Sequence, residues 1–207
     1  AALSIFEING DIAFLKHAHQ VAEVIINDLR DEKSGGLSGS NRDSTKPDGT
    51  PLQDQPLVDT AAAAELFNRL SAYSYGAFDD LGTFNAKNYR AFSEAALRAV
   101  ARPERLRVQG YFIAHYVLAL HQLQDQFMQV SVVCRNTASE QCTHLHSTVL
   151  RLLPNPRRIV KVQTEGYYPS PGAATLYICN EALCSSPIAS DDKKLIEKVN
   201  DWYLTLA

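Results

Sequence analysis

The spacing of apolar residues changes near Met128, and this change limits the possible folds more than any other feature of the sequence. Before it, apolar residues recur three and four positions apart, as on a helix with one buried face. After it, the stretch MQVSVVC alternates as a strand does, with one face made of Val130, Val132 and Cys134. We therefore predict a mixed fold, with helical hairpins over residues 1–126 and a small α/β unit over residues 127–207.

The first part of the chain carries a series of helical stripes, which we expect to pack as successive antiparallel hairpins. The opening AALSIFEING is typical of the end of a helix that Asn9 and Gly10 close. Since no start signal precedes it, we expect Ala1 to lie inside an element whose beginning is missing. The last helix contains YFIAHYVLALHQL and is apolar almost all round, so we expect neighbours to cover it. Residues that we expect to cap or begin the later helices are Asp11, Asp59, Asn85 and, approximately, Arg105.

The second part predicts the order β-α-β-β-α, a small sheet covered by helices. Its further strand-like runs are RIVKVQ and ATLYIC. Thr137 and Glu140 have the spacing of a capping box at the start of the first helix of this part. We expect Ser190 to cap the final helix.

The composition argues against several classes of protein. The 207 residues are 45% apolar and 21% charged, as in ordinary globular proteins. With a net charge of −3, the chain lacks the excess of positive charge that is typical of nucleic-acid-binding proteins. No apolar run approaches the roughly 18 residues that span a bilayer, and the first residues lack the basic and apolar stretches of a signal peptide. Four cysteines are too few for a disulfide scaffold, so we expect a reduced, cytoplasmic protein.

Several stretches follow one another in the order found in a known family. They are ALSIFEINGDIAFLKHAHQVAEVIINDLRDEKSGGL, VDTAAAAELFNRLSAYS, VQGYFIAHYVLALHQLQDQFMQVSVV, RLLPNPRRIVKVQ and ATLYICNEALCSSPI. The last of them contains a Cys-four-residues-Cys-Ser-x-Pro signature. The chain thus resembles the last third of the thioredoxin-domain-containing proteins related to spermatogenesis-associated protein twenty.

The resemblance implies part of a helical α/α toroid, similar to the toroids of sugar epimerases and six-hairpin glycosidases. In that family the toroid follows an N-terminal thioredoxin-like domain. About five helices do not close a six-hairpin ring, so we expect an exposed apolar face. This face would self-associate or meet a missing N-terminal region.

Two functions follow from the resemblance. We favour a non-catalytic scaffold or binding module, because most of the ring that carries acid and base residues in toroid enzymes is missing. The alternative is a carbohydrate-active enzyme, an epimerase or a hydrolase, that binds a small carbohydrate in the toroid cleft. No phosphate-binding loop, dinucleotide fingerprint or metalloprotease motif occurs, and we expect no cofactor and no metal.

Cys179 and Cys184 allow three interpretations. Zinc would need further ligands, such as Cys134, His144 and His146, but two histidines two positions apart on a helix point to different faces. A disulfide or redox pair requires the two Cα atoms to lie within about 7 Å. We favour a structural role, in which Cys179 ends a buried strand as a small hydrophobic residue and Cys184 holds the following turn.

His115 is a candidate general acid or base, because toroid enzymes use inward-facing histidines and carboxylates. It lies on the stripe of the apolar helix, where a lone histidine is usually a hydrogen-bonded core residue. Tyr111 and Tyr116 are candidate substrate-binding residues on the same helix, with core packing as the alternative.

Paired carboxylates are the third candidate site, since glycoside cleavage uses two that lie about 5 to 10 Å apart. Asp54 and Asp59 stand at the end of the long polar stretch of residues 38–57, close to the expected toroid mouth. Asp79 and Asp80 lie in the next loop. Simpler roles are a helix cap for Asp59 and solvent exposure for the others.

Overall fold

The computed structural model describes residues 1–38, 56–73, 86–125, 127–153, 158–172, 174–180 and 182–206. Its helices, in chain order, are α1 (Ala2–Asn9), α2 (Ile12–Val24), α3 (Leu57–Tyr73), α4 (Ala86–Val100), α5 (Pro103–Arg107), α6 (Ile113–Gln124), α7 (Glu140–Leu152) and α8 (Leu195–Leu206). Its strands are β1 (Met128–Cys134), β2 (Arg158–Thr164), β3 (Ala174–Cys179) and β4 (Ile188–Ala189). The predicted mixed fold class is confirmed.

Two compact units make up the structure. We call the first the sheet unit; it combines Ala1–Leu15 with the described residues of Gln126–Ala207. The second, the helical unit, holds the described residues of Lys16–Tyr75 and Leu81–Asp125. The first helix therefore belongs with the last elements of the chain. The domain boundary that we placed between residues 126 and 127 stays a prediction.

The sheet has the strand order β2-β1-β3-β4. β1 pairs in parallel with β2 and antiparallel with β3, so that Val130 lies opposite both Val160 and Ile178. A parallel pair needs a crossover connection, and α7 occupies this position between β1 and β2. The predicted face of β1 lies in the main core together with residues of α7 and α8 such as Leu145 and Val199. The other face of β1 is also covered, since Val133 packs with Tyr177 and Cys179.

Helix α1 ends as predicted, because Gly10 has a positive φ of 71° and its N–H bonds to the Phe6 carbonyl at 2.7 Å. Phe6 is buried in the sheet unit. The backbone carbonyl of the adjacent Glu7 lies 2.7 Å from His146 Nε2, and the Glu7 carboxylate lies 3.9 Å from Arg158 Nη2. Burial lowers the pKa of His146. These buried polar contacts explain why a segment so distant in sequence joins the sheet.

In the helical unit, α3 packs against both α4 and α6. Small residues such as Ala61 and Ala64 on α3 are fully buried and allow this close packing. Two buried hydrogen bonds join the helices: Asn68 Nδ2 donates to the Ala119 carbonyl at 2.9 Å, and Ser93 Oγ donates to the Ala64 carbonyl at 3.3 Å.

The starts of several helices differ from the sequence prediction. Asp11 does cap α2, since its Oδ1 accepts from the Ala13 N–H at 2.9 Å. Asp59 is not a cap, because α3 already begins at Leu57. The capping box of Thr137 and Glu140 is also wrong: α7 is capped by Ser139. The final helix begins at Leu195 rather than after Ser190. Asn85 lies outside the described residues.

The helix that we expected to begin near Arg105 is broken. The short α5 is followed by a 3-10 turn, Gly110–Phe112, before α6 begins at Ile113. The expectation that neighbours cover this apolar stretch is wrong for the described structure, because only one side of α6 is buried. Tyr116 is buried, whereas Val117 is 53% exposed. None of the described helices is both long and apolar enough to cross a membrane.

Candidate functional site

A pocket of about 290 Å³ opens in the helical unit, beside the first turns of α3. Two parts of the chain form its walls, residues 25–38 and residues 56–66, and most of the lining side chains are aliphatic. The described lining residues are Ile25, Leu29, Leu37, Ser38, Pro56, Asp59, Ala62, Ala63 and Leu66. This volume is near the lower end of the range for small-molecule sites in proteins.

The first wall is a π-helical turn, Ile25–Leu29, that continues α2. Such turns are uncommon and occur frequently at functional sites. The chain then reverses and returns beside this turn, where the Ser38 N–H donates to the Leu29 carbonyl at 2.8 Å. An isolated antiparallel β-bridge between Arg30 and Leu37 pairs the same two stretches of backbone. This reversal places Leu29 and Leu37 side by side in the pocket.

Asp31 organises the reversal. Its carboxylate accepts from the Ser34 hydroxyl at 2.6 Å and from the Lys33 N–H at 3.1 Å, and these bonds lower the pKa of the Asp31 carboxyl. Gly35 is required at the end of the turn, because it has a φ of +71° and a Cβ there would lie 2.8 Å from the Cβ of Ala95. The first wall is therefore held in a defined conformation.

The second wall is the first part of α3. Ala62 and Ala63 leave room for a ligand because their side chains end at Cβ. Asp59 stands in the first turn and is exposed to solvent at the pocket. Among the described residues that line the pocket, Asp59 is the one ionisable group. The arrangement suits an apolar group with a hydrogen-bond donor or a positive charge at its end, and it does not provide an acid–base pair.

The other candidate residues do not line this pocket. His115 is exposed on α6, and Tyr111, just before α6, is 97% exposed. Tyr116 is buried in the core between α3, α4 and α6, and burial raises the pKa of its phenol. Asp54, Asp79 and Asp80 lie outside the described residues. The catalytic roles of His115, Asp54 and Asp59 and the substrate-binding roles of the two tyrosines stay predictions.

A buried histidine–tyrosine pair in the helical unit was missed from the sequence. His19 Nδ1 of α2 lies 3.0 Å from Tyr89 Oη of α4, and Phe67 stacks on the tyrosine ring. Burial lowers the pKa of His19 to about 4, and burial with the nearby charge of Glu23 raises the pKa of Tyr89 to about 12. One sequence pattern does indicate that His19 is buried: it lies beside Ala18 and Ala22, on the apolar stripe of its helix.

The four cysteines form two disulfides, Cys134–Cys142 and Cys179–Cys184, with Cα–Cα distances of 6.0 and 4.0 Å. Cys179 ends the buried strand β3 and its sulfur is bonded to Cys184, while the choice between a structural and a redox role for this pair stays a prediction. Cys134–Cys142 lies in the core of the sheet unit, whereas Cys184 is exposed. The described residues contain no cluster of three or more His, Cys, Asp or Glu that is arranged to hold a metal ion.

Tyr168 contacts the second disulfide. Its hydroxyl lies 3.1 Å from Cys179 Sγ and 3.5 Å from Cys184 Sγ. The Tyr168 ring stacks on Tyr177 with a centroid distance of 4.5 Å and meets Tyr167 edge-on at 4.9 Å. Burial raises the pKa of the Tyr168 phenol. This tyrosine was not among the sequence candidates, because it contacts the cysteines only after β3 and its preceding loop fold together.

Comparison of the chain with protein-family models, with curated proteins and with solved structures found no match.

Proposed function

We propose that the chain is a non-catalytic binding module whose helical-unit pocket holds the apolar part of a small ligand. The observation that carries this proposal is the lining of the pocket, in which aliphatic side chains surround one carboxylate, that of Asp59. Burial of an apolar group is worth about 25 cal/mol per Å² of surface removed from water. Asp59 adds preference for a cationic end, by roughly 1 kcal/mol because the carboxylate is exposed.

The carbohydrate-active alternative has less support. Acid–base cleavage or epimerisation needs two ionisable groups that face one cleft. The described lining supplies one such group and no aromatic ring on which a sugar would stack. A small carbohydrate ligand and the candidate roles of His115 and Tyr111 therefore stay secondary to the binding proposal.

A titration with three small probes tests the pocket. Benzylamine, benzyl alcohol and benzoate share an aromatic ring and differ in charge, and their binding would be followed by NMR chemical shifts of Leu29, Leu37 and Ala63. We expect benzylamine to bind about fivefold more tightly than benzyl alcohol and benzoate to bind most weakly. Asp59→Asn should remove the preference for benzylamine over benzyl alcohol.

Ala62→Leu is the matched test of the pocket volume, because Ala62 is an exposed residue of α3 that lines the pocket and leucine is a good helix former. It should weaken the binding of all three probes. Ala91→Leu is the control, since Ala91 is an exposed alanine of α4 outside the described lining. Unchanged affinity in Ala62→Leu, or shifts spread evenly over the protein, would refute the binding proposal.

We also infer that the helical unit belongs to an α/α toroid of the family that the chain resembles. The packing of α3 against both α4 and α6 supports this, as do apolar residues that remain exposed on the same unit, such as Phe112 and Val117. Self-association would cover them. An experimental structure of an associated form tests the toroid: concentric rings of helices support it, and a layered bundle contradicts it.

The expected cytoplasmic location stays a prediction. The disulfides Cys134–Cys142 and Cys179–Cys184 favour an oxidising compartment instead, because disulfides rarely persist in a reducing cytosol. Acid quenching of intact cells, followed by alkylation of the denatured protein, tests this: cysteines protected as disulfides support the oxidising compartment, and four alkylated thiols support the cytoplasm.

A further inference from the structure

We propose that the Cys179–Cys184 disulfide is a reversible thiol–disulfide exchange site, attacked by thiols at Cys184 and assisted by Tyr168. The site lies in the sheet unit, apart from the pocket residues, and does not depend on the function proposed for the pocket. Its ligands are small-molecule or protein thiols.

The two cysteines differ in their exposure to solvent. Cys179 ends β3 and is only 2% exposed, whereas Cys184 is exposed to solvent. A thiolate attacks a disulfide along the line of the S–S bond and expels the far sulfur. Attack from solvent therefore occurs at Cys184 Sγ, and Cys179 is the leaving group.

Tyr168 lies where it stabilises that leaving group. Its hydroxyl is 3.1 Å from Cys179 Sγ and donates a hydrogen bond to the thiolate when the S–S bond breaks. The phenol is held in place by its stacking on Tyr177, whose own hydroxyl donates to the Pro169 carbonyl at 2.7 Å. Since a better-stabilised leaving thiolate departs faster, Tyr168 favours exchange at this bond.

The described residues between the two cysteines are also held by hydrogen bonds that do not depend on the S–S bond. The Asn180 N–H donates to the Leu183 carbonyl at 2.9 Å, and Asn180 Oδ1 accepts from the N–H groups of Ala182 and Leu183. Beyond the loop, the Ser185 N–H donates to the Ile178 carbonyl at 2.8 Å. Reduction therefore leaves the two thiols close together, and their high effective concentration favours closure of the bond.

The reaction proceeds in two balanced steps. In the first, a thiolate RS⁻ bonds to Cys184 Sγ, the bond between the two cysteines breaks, and Cys179 leaves as a thiolate that accepts the hydrogen bond of Tyr168. In the second, another RS⁻ attacks the RS sulfur of this mixed disulfide, so that RSSR forms and Cys184 leaves as a thiolate and takes a proton from water. Two thiols are oxidised to one disulfide, and their two electrons reduce Cys179–Cys184.

The other disulfide is an internal control. Cys134 and Cys142 are 0% and 1% exposed and lie in the main core of the sheet unit. A solvent thiol does not reach either sulfur without unfolding that core. The same chain thus contains one accessible and one inaccessible disulfide.

Reduction of the folded chain with glutathione, followed by alkylation and peptide mass spectrometry, tests the proposal. We expect alkylation at Cys179 and Cys184 with Cys134–Cys142 intact until denaturant is added. Removal of glutathione under air should restore the bond without loss of the native circular dichroism spectrum. Reduction of both disulfides together, or of neither before unfolding, would overturn the proposal.

Tyr168→Phe tests the role of the hydroxyl, because phenylalanine keeps the stacking on Tyr177. We expect reduction to slow about tenfold and the thiolate absorbance of the reduced protein at about 240 nm to titrate about one pH unit higher, since the Cys179 thiolate loses its donor. Tyr167→Phe is the control, because Tyr167 is 76% exposed and should leave both readouts unchanged. Equal rates and equal titrations in the two variants would remove Tyr168 from the mechanism.

Discussion

At the scale of single residues, His19 shows how the core of the helical unit accommodates a polar side chain. It is only 2% exposed and lies 3.0 Å from the Tyr89 hydroxyl. With a pKa of about 4, His19 stays neutral in the folded protein at neutral pH, so that its Nδ1 is available to accept a hydrogen bond from the Tyr89 hydroxyl. The shape of this core therefore depends on an uncharged imidazole.

The stability of the helical unit should fall as the pH falls from about 6.5 to about 4. The pKa of His19 is lowered by folding, so the unfolded chain binds a proton in this interval while the folded chain does not. The loss should reach about 2 to 3 kcal/mol at pH 4.5 and level off below pH 4. Urea unfolding by far-UV circular dichroism at pH 7.5 and 4.5 measures it.

His19→Gln provides the comparison for this effect. Glutamine keeps an acceptor near Tyr89 and does not titrate, so the difference between the two pH values should be smaller in the variant than in the native chain. His146 also has a lowered pKa, but it is present in both proteins and cancels in the comparison. An equal pH dependence in both would show that His19 does not control it.

At the scale of elements, local sequence identified where helices and strands lie better than where they begin. The strand signal of Met128–Cys134 is confirmed, because alternation is read from the side chains of the strand itself. The start of α7 was misplaced by two residues. Thr137 and Ser139 both have cap-forming side chains, and Ser139 adopts the extended backbone that lets its hydroxyl accept from the Cys142 N–H at 3.3 Å.

Ser139→Ala should therefore lower the free energy of unfolding of the sheet unit by about 1 kcal/mol, the usual cost of a lost helix cap. Thr137→Ala should change it by less than about 0.5 kcal/mol, because Thr137 is exposed and precedes the cap. Trp202 packs against the core of the sheet unit and is the single tryptophan of the chain, so its fluorescence reports this unfolding. A larger loss of unfolding free energy in Thr137→Ala than in Ser139→Ala would instead support the capping box of Thr137 and Glu140.

At the scale of the whole molecule, the helical unit leaves apolar side chains uncovered around the start of α6. Within the segment of residues 108–117, Val108, Tyr111, Phe112 and Val117 are each more than half exposed, at 79%, 97%, 59% and 53%. Such a concentration of exposed apolar residues is typical of an interaction surface. We propose that a second copy of the chain covers it.

Sedimentation equilibrium measures this association. We expect a dimer with a dissociation constant of tens of micromolar, roughly 6 kcal/mol of binding free energy. A double variant, Phe112→Ser with Val117→Ser, should weaken it at least tenfold because both side chains lose their apolar surface. Val24→Ser is the control, since Val24 is 54% exposed on α2 and lies outside the segment. A monomer at about 200 µM would contradict self-association.

The sequence by itself determined the fold class and the positions of most helices and strands, including Ile12–Val24 and Met128–Cys134, because the period of apolar residues is a property of each segment. Only the tertiary structure decided the cysteine pairs, the place of β1 between β2 and β3, and the pocket beside Asp59. These features join residues that are distant along the chain or depend on the direction of one side chain, and local spacing carries no information about such contacts.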